Sequence, residues 1–250
     1  TIEDAAGLPL AEIRKAFVND KGHVDLNVVL PAPACLNDFE PNDGVLTRAR
    51  AALGLLPDAT KIGPDDLLGR LTLSNALRDV STKVRAQDIP NVIRAIQNYA
   101  ECGYMYWYDW NREHWGTQWN CYGQPNDGHP ADATSFEFET AWAHPAPMIE
   151  VISQKLPGVA FHVAYADEDI GSNCGEYRIQ NGERFDEDIA ARWDDRDDAE
   201  RRRWVEKAFR IRYGKDEPRE AHGYDANWQY SDDVYEAYEA SREAVAASQQ

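Results

Sequence analysis

Cations are scarce in the middle of this 250-residue sequence: residues 101–182 carry 3 Lys or Arg against 12 Asp or Glu, a net charge of −9. The flanks are less one-sided, at −2 for residues 1–100 and −7 for residues 183–250, and the whole chain stands at −18. A field of that sign repels phosphate backbones and anionic lipid. Direct nucleic-acid and membrane-surface binding are therefore disfavoured, and a basic protein partner is favoured.

Long apolar runs are missing too. Nothing approaches the ~20 consecutive residues that a membrane-spanning helix needs. The first residues also lack the basic-then-apolar pattern of an export signal, so the chain reads as soluble, unexported and cytoplasmic. Paired cysteines are absent: Cys35, Cys102, Cys121 and Cys174 are widely and irregularly spaced, with no CxxC, which predicts reduced thiols. The sequence contains no GxGxxG, Walker loop, GxSxG, HExxH or basic-aromatic RNA motif. These absences remove the positive case for catalysis without excluding it.

What is present suffices for a folded core: 43% of residues are hydrophobic and 11% aromatic. Leu10, Ile13 and Phe17 form one stripe of a predicted helix over residues 8–19. Val24, Leu26 and Val28 alternate with polar residues, predicting a strand over residues 23–30 that Pro31 and Pro33 stop. Helical spacing then runs through residues 45–56, 65–80 and 90–100, the last with Asp88 as candidate cap and Gly103 at its end. Residues 104–122 hold Trp107, Trp110, Trp115, Trp119 and four tyrosines, an enrichment that predicts a buried seam or an aromatic surface.

Residues 135–142 predict a strand with Phe136, Phe138 and Thr140 on one face and Glu137, Glu139 and Ala141 on the other. A helix after Pro145 and Pro147, strands over residues 159–165 and 174–180, and a turn at Asn181-Gly182 follow. Beyond Phe185 two helices are expected, one through Trp193, Trp204 and Phe209 and one capped by Ser231. The order predicts an α+β protein: a ferredoxin-like split βαβ antiparallel sheet with a helical insertion and a C-terminal helical appendage. The expected organisation is a sheet domain over residues 1–182, with its insertion at about 43–103, and an acidic appendage over residues 183–250.

Three segments carry a family resemblance: Trp115-Gly-Thr-Gln-Trp-Asn-Cys-Tyr122, Phe138-Glu-Thr-Ala-Trp142 before its prolines, and Phe161-His-Val-Ala-Tyr165-Ala-Asp-Glu-Asp169. Over residues 20–182 the chain resembles the YubB-type ferredoxin-like proteins of plasmids and phages, with residues 28–33 similar to that family's first strand-to-proline segment and residues 171–182 to its last hairpin. The family's earlier strand, with its Asn-Trp-type motif, has no counterpart at Thr1 to Gly7, and the acidic C-terminal part is not a family feature. The resemblance implies the fold and a mobile-element origin, and it supplies no activity.

Candidate chemistry is sparse. Asp167, Glu168, Asp169 and Glu176 form a carboxylate group able in principle to bind a hard cation, but it lacks the loop of a Ca²⁺ hand. His114, Cys121, His129 and His144 lack the close pairing of a zinc site, and no motif positions Cys121 as a nucleophile with His129 or His144. Trp115, Thr117 and Trp119 alternate, and would line one side of a strand as sheet core or as an aromatic platform. No catalytic residue, metal or cofactor is assigned.

The leading expectation is a non-enzymatic accessory protein of a mobile element. Its partner surface would comprise Glu137, Glu139, Asp167, Glu168, Asp169, Glu176, Trp115 and Trp119. It would occupy a basic site on a host protein, such as a nucleic-acid-binding defence effector, in a DNA-mimicking or anti-CRISPR-like manner. The alternatives are a metal-assisted or cysteine-dependent enzyme and a structural or oligomeric accessory.

Overall fold

A computed structural model describes residues 1–63, 65–77 and 86–248. The chain is α+β, and its sheet has four antiparallel strands in sequential order: β1 (Ile2–Asp4), β2 (Ala160–Tyr165), β3 (Gly175–Gln180) and β4 (Glu183–Ile189). All the helices between β1 and β2 belong to one long crossover: α1 (Leu10–Arg14), α2 (Leu26–Val29), α3 (Asp43–Leu55), α4 (Leu67–Ala76), α5 (Ile89–Cys102), α6 (Trp107–His114) and α7 (Ala146–Lys155). After β4 come α8 (Asp198–Tyr213) and α9 (Asp232–Ser248).

Alternation sets the two faces of the sheet. Phe161, Val163 and Tyr165 of β2 pair with Ile179, Tyr177 and Gly175 of β3. That face packs on a core containing Ile13, Phe17, Leu26, Val29, Trp110, Trp115, Met148 and Ile152. The opposite face carries His162, Ala164, Glu176 and Arg178, and there Lys207 of α8 reaches both Glu176 and Asp188. A second core lies within the helical block, where Val45, Leu46 and Ala49 of α3 meet Val92, Ile93 and Ile96 of α5 and Leu73 of α4.

The strand expected at residues 23–30 is instead α2. Asp25 caps it by accepting from the Asn27 amide, and Leu26 and Val29 are buried one helical turn apart. Residues 135–142 do not join the sheet, and their one ladder contact is the bridge Glu139 to Tyr122. The expected sidedness is nevertheless present: Phe136 and Phe138 pack on the core and Glu137 and Glu139 are exposed, although Ala141 is buried. Trp115, Thr117 and Trp119 share no strand face, since Trp115 is 3% exposed and Trp119 50%.

Two strands were not expected from sequence. β1 is three residues long and holds its place by pairing with Ala160 and Phe161. β4 shows no buried side chain, so its sequence carries no hydrophobic alternation to read. Its place comes from pairing and charge: Asn181 (φ 51°) and Gly182 (φ 80°) make the left-handed two-residue turn that a tight hairpin needs. Asp188 then pairs with Arg203 and Lys207, and Asp186 with Arg178. This hairpin crosses the boundary expected at residue 182.

The other expected helices are present with shifted ends, α3 and α5 starting earlier at Asp43 and Ile89, whereas α6 was not expected from the sequence. The first covers Leu10–Arg14 rather than residues 8–19; α4 ends at Ala76, and expected positions 78–80 lie outside the described residues. Trp193 sits in a 3-10 turn ahead of α8.

Candidate functional site

The segment that gave the family resemblance is a structural fastener. Trp115 inserts into the core and its Nε1 donates to the Leu30 carbonyl at 3.0 Å. Gly116 has φ 76°, and a Cβ there would stand 2.6 Å from Cδ of Pro147, so only glycine fits against α7. Thr117 donates to the Ala141 carbonyl at 3.1 Å. Asn120 accepts from the Leu26 amide and donates to Asp25, both at 2.8 Å. Thr117 and Asn120 in this irregular stretch thus supply hydrogen bonds that a regular element would have made.

The fastener holds residues 134–142 alongside the sheet and leaves a groove of about 800 Å³ between them. One wall is β2 with the loop after it, His162 to Glu168; the other is Ser135 to Thr140. The floor is apolar. Phe17 meets Phe136 edge-on at 5.0 Å and Phe161 at 6.4 Å, beside Ile149 and Ile152. The rim is acidic, with Glu137 and Glu139 on one wall and Asp167 and Glu168 on the other, while Arg212 is the one Lys or Arg among the lining residues. Tyr122 stands between the walls. Its hydroxyl is pushed up first by burial and then by the charges of Glu139 and Glu168, with Arg212 opposing.

Aromatic residues extend the groove outward. Trp142 is 73% exposed and adopts φ 55°, a left-handed conformation that a bulky residue rarely takes and that tends to mark functional loops. Its ring lies 6.2 Å from that of Trp119. Deeper in, His144 stacks on Tyr165 at 4.1 Å and shares a 2.8 Å hydrogen bond with the Tyr177 hydroxyl. Burial pushes His144 down to about 4, so it is neutral at pH 7.

The candidate residues divide accordingly. Glu137, Glu139, Asp167 and Glu168 come together at the groove. Asp169 is exposed just beyond it, in a loop where Asp167 accepts from the Asp169 amide and from Asn173. None of these five acids takes part in an ion pair among the described residues. Glu176 is different: Lys207 at 2.7 Å, with His162 at 3.4 Å, pairs it and lowers its pKa. Trp115 is buried, and Trp119 stands at the groove mouth beside Trp142. Sequence reasoning passed over Trp142, Tyr122 and Arg212. An exposed Trp followed by prolines was a usable signal for the first, and nothing local marks Arg212, which comes from a distant helix.

Chemistry beyond binding finds little support in this geometry. Among the described residues no group of three or more His, Cys, Asp and Glu is placed to hold a metal ion. Burial pushes the Cys121 thiol up to about 12, the opposite of what an attacking thiolate needs.

Fold and groove together define an α+β protein with an antiparallel sheet and an open, acid-rimmed aromatic cleft beside one edge. Residues 118–211 match the family described as the ferredoxin-like domain in Api92-like protein. The match runs from the fastener through α7, β2, β3 and β4 into α8. No curated protein and no solved structure matches the chain. Among the described residues no helix is long and apolar enough to cross a membrane.

Proposed function

We propose that this is a non-enzymatic interaction protein that receives a cationic segment of another protein in the groove beside β2. The observation that carries this reading is the rim: Glu137, Glu139, Asp167 and Glu168 face one cleft, without ion-pair partners among the described residues and with Arg212 as the lining cation. Unpaired carboxylates on a low-dielectric aromatic floor concentrate negative potential, which steers and selects a basic partner. Exposed Trp119, Trp142 and Tyr122 add rigid apolar area of the kind that anchors interfaces.

The resemblance of residues 115–122, 138–142 and 161–169 to plasmid and phage proteins adds the biological setting: an accessory factor of a mobile element, acting in the cytoplasm on a basic site of a host nucleic-acid-binding effector. The test is capture from host lysate on the wild-type chain and on the combined variant Glu137→Gln, Glu139→Gln, Glu168→Gln, with elution by salt and by DNA. The expected result is a basic protein held by the wild type, released by both, and lost from the variant. Capture that is equal on both chains contradicts the proposal.

A further inference from the structure

We infer that His129 is an acid-released latch: when its ring takes up a proton, residues 135–140, the wall that carries Glu137 and Glu139, come free of the body of the fold. The latch belongs to this chain and is read without any partner, so it stands apart from the binding reading above.

The wall is fastened firmly at its ends and lightly between them. At one end the Thr134 carbonyl accepts from the Ile2 amide at 2.7 Å, and at the other Glu139 exchanges both its backbone bonds with Tyr122 at 2.8 and 3.0 Å. Between these points Phe136 and Phe138 pack on the core. The backbone of residues 136–138 has a single tether among the described residues, the hydrogen bond between the Glu137 backbone and the ring of His129.

That ring is fixed from several sides. His129 is 9% exposed; its amide donates to the Gly22 carbonyl at 2.9 Å, and its own carbonyl accepts from Nη2 of Arg14 at 3.0 Å. The imidazole meets Phe136 edge-on at 5.2 Å, while the Arg14 guanidinium lies 5.1 Å from the centre of the same ring. Arg14 Nη1 reaches on to the Ala133 carbonyl at 3.4 Å, at the foot of the wall. The Glu137 carbonyl accepts from the imidazole, and Nε2 is buried with no hydrogen-bond partner among the described residues. Nδ1 is therefore the donor, and Nε2 carries a bare lone pair.

Such a place suits a neutral ring. A proton on Nε2 is a buried donor without an acceptor, and its charge stands beside the guanidinium of Arg14, itself buried. Charged or titratable groups face the ring from three elements: Arg14 from α1, His23 from the chain ahead of α2, and Glu137 from the wall. Burial disfavours the charge most, Arg14 and His23 add to it, Glu137 opposes them, and the balance lowers the His129 pKa. Once the wall swings away the ring enters water and titrates near its ordinary 6.5. Protonation thus favours the open state. Attachment is complete above pH 6.5 and weakens as pH falls toward the lowered value.

The test is hydrogen exchange at the Tyr122 and Glu139 amides, read by NMR as protection relative to the free-peptide rate at each pH, alongside titration of the His129 ring protons. A ring that titrates at 6.5 when free and stays neutral when latched weakens attachment by up to about tenfold between pH 7.5 and pH 5.5. The expected result is a several-fold loss of protection over that interval in the wild type. His129→Gln, whatever its absolute protection, is expected to show no such step, and His144→Gln, which alters the ring stacked on Tyr165, to keep it in full. No step in the wild type, a step of equal size in His129→Gln, or its loss in His144→Gln each overturns the latch. Should His129→Gln fail to fold, Arg14→Met decides: removal of the facing cation is expected to move the His129 titration toward 6.5 and shrink the step, whereas a full step at an unmoved titration overturns the assignment.

Discussion

The imidazole of His144 lies flat on the ring of Tyr165, centroids 4.1 Å apart and planes within 5° of parallel, while its Nε2 meets the Tyr177 hydroxyl at 2.8 Å. This places a neutral histidine between the sheet and the wall of the groove, and gives the fold a pH dependence. The unfolded chain protonates His144 at about 6.5 and the folded chain only at about 4. The stabilisation held by the neutral ring is complete above pH 6.5 and is lost as pH falls through the interval to about 4. The upper limit for this loss is on the order of 3 kcal/mol. His129 titrates in the same direction, so the informative quantity is a difference. Urea melts of wild type and His144→Gln between pH 7 and pH 4.5 are expected to show a flatter slope for the variant; identical slopes contradict the burial of His144.

Asn120 is the second point of leverage. Its side chain ties the Trp115 to Tyr122 stretch to the start of α2 through the Leu26 amide and Asp25. Asn120→Ala leaves the partly buried Leu26 amide unpaired and removes one of the bonds that Asp25 accepts, leaving those from Asn19 and the Asn27 amide, and a loss of about 1 to 3 kcal/mol is expected. Asn120→Asp retains the acceptor for Leu26 while setting a like charge against Asp25, so chemical denaturation should rank it below wild type as well.

Lys207 joins α8 to the polar face of the sheet by reaching Glu176 and Asp188 together. Lys207→Met leaves two adjacent carboxylates facing each other across β3 and β4, and is expected to cost about 1 kcal/mol in urea, less at high salt. Lys207→Arg should retain most of the stability. A salt-independent loss in Lys207→Met would assign its effect to packing on Trp204 instead.

Cys35 and Cys102 lie with their sulfurs 3.5 Å apart, joining the start of the helical block to its last helix. Burial, the neighbouring Cys102 thiol and nearby negative charge push Cys35 up to about 12. The pair is therefore expected to resist air at pH 7, because the thiolate is the reacting species, and to crosslink with diamide at pH 9. Mass spectrometry after alkylation checks this: loss of both free thiols in one molecule is the expected product, and a Cys121 or Cys174 bridge contradicts the geometry.

How much of this was legible in the sequence depended on whether a residue's role was periodic. Helices such as α5 and α7 were visible because Val92, Ile93 and Ile96, or Ile149 and Ile152, repeat at helical spacing with proline and glycine at the ends. β2 and β3 were visible because one face of each is dry. β4 was not, because an edge strand held by Asp186 and Asp188 buries nothing. The strand expected at residues 23–30 failed because Asp25 supplies a local cap and the distant Asn120 takes up the Leu26 amide, and a helix of one turn buries Leu26 and Val29 as well as a strand would. At the site, alternation correctly set Glu137 and Glu139 on the polar side and Phe136 and Phe138 on the dry side. Pairing partners lie far off in sequence, so nothing local revealed that Lys207 covers Glu176 or that Thr1 pairs with His162.

The most direct measurement of the central claim is the affinity of a short lysine-rich peptide as a function of salt, for the wild type and for the combined variant Glu137→Gln, Glu139→Gln, Glu168→Gln. The account predicts binding to the wild type that weakens steeply with added salt, and weaker binding to the variant with a shallower salt slope. Equal affinity and equal slope in the two chains would contradict it.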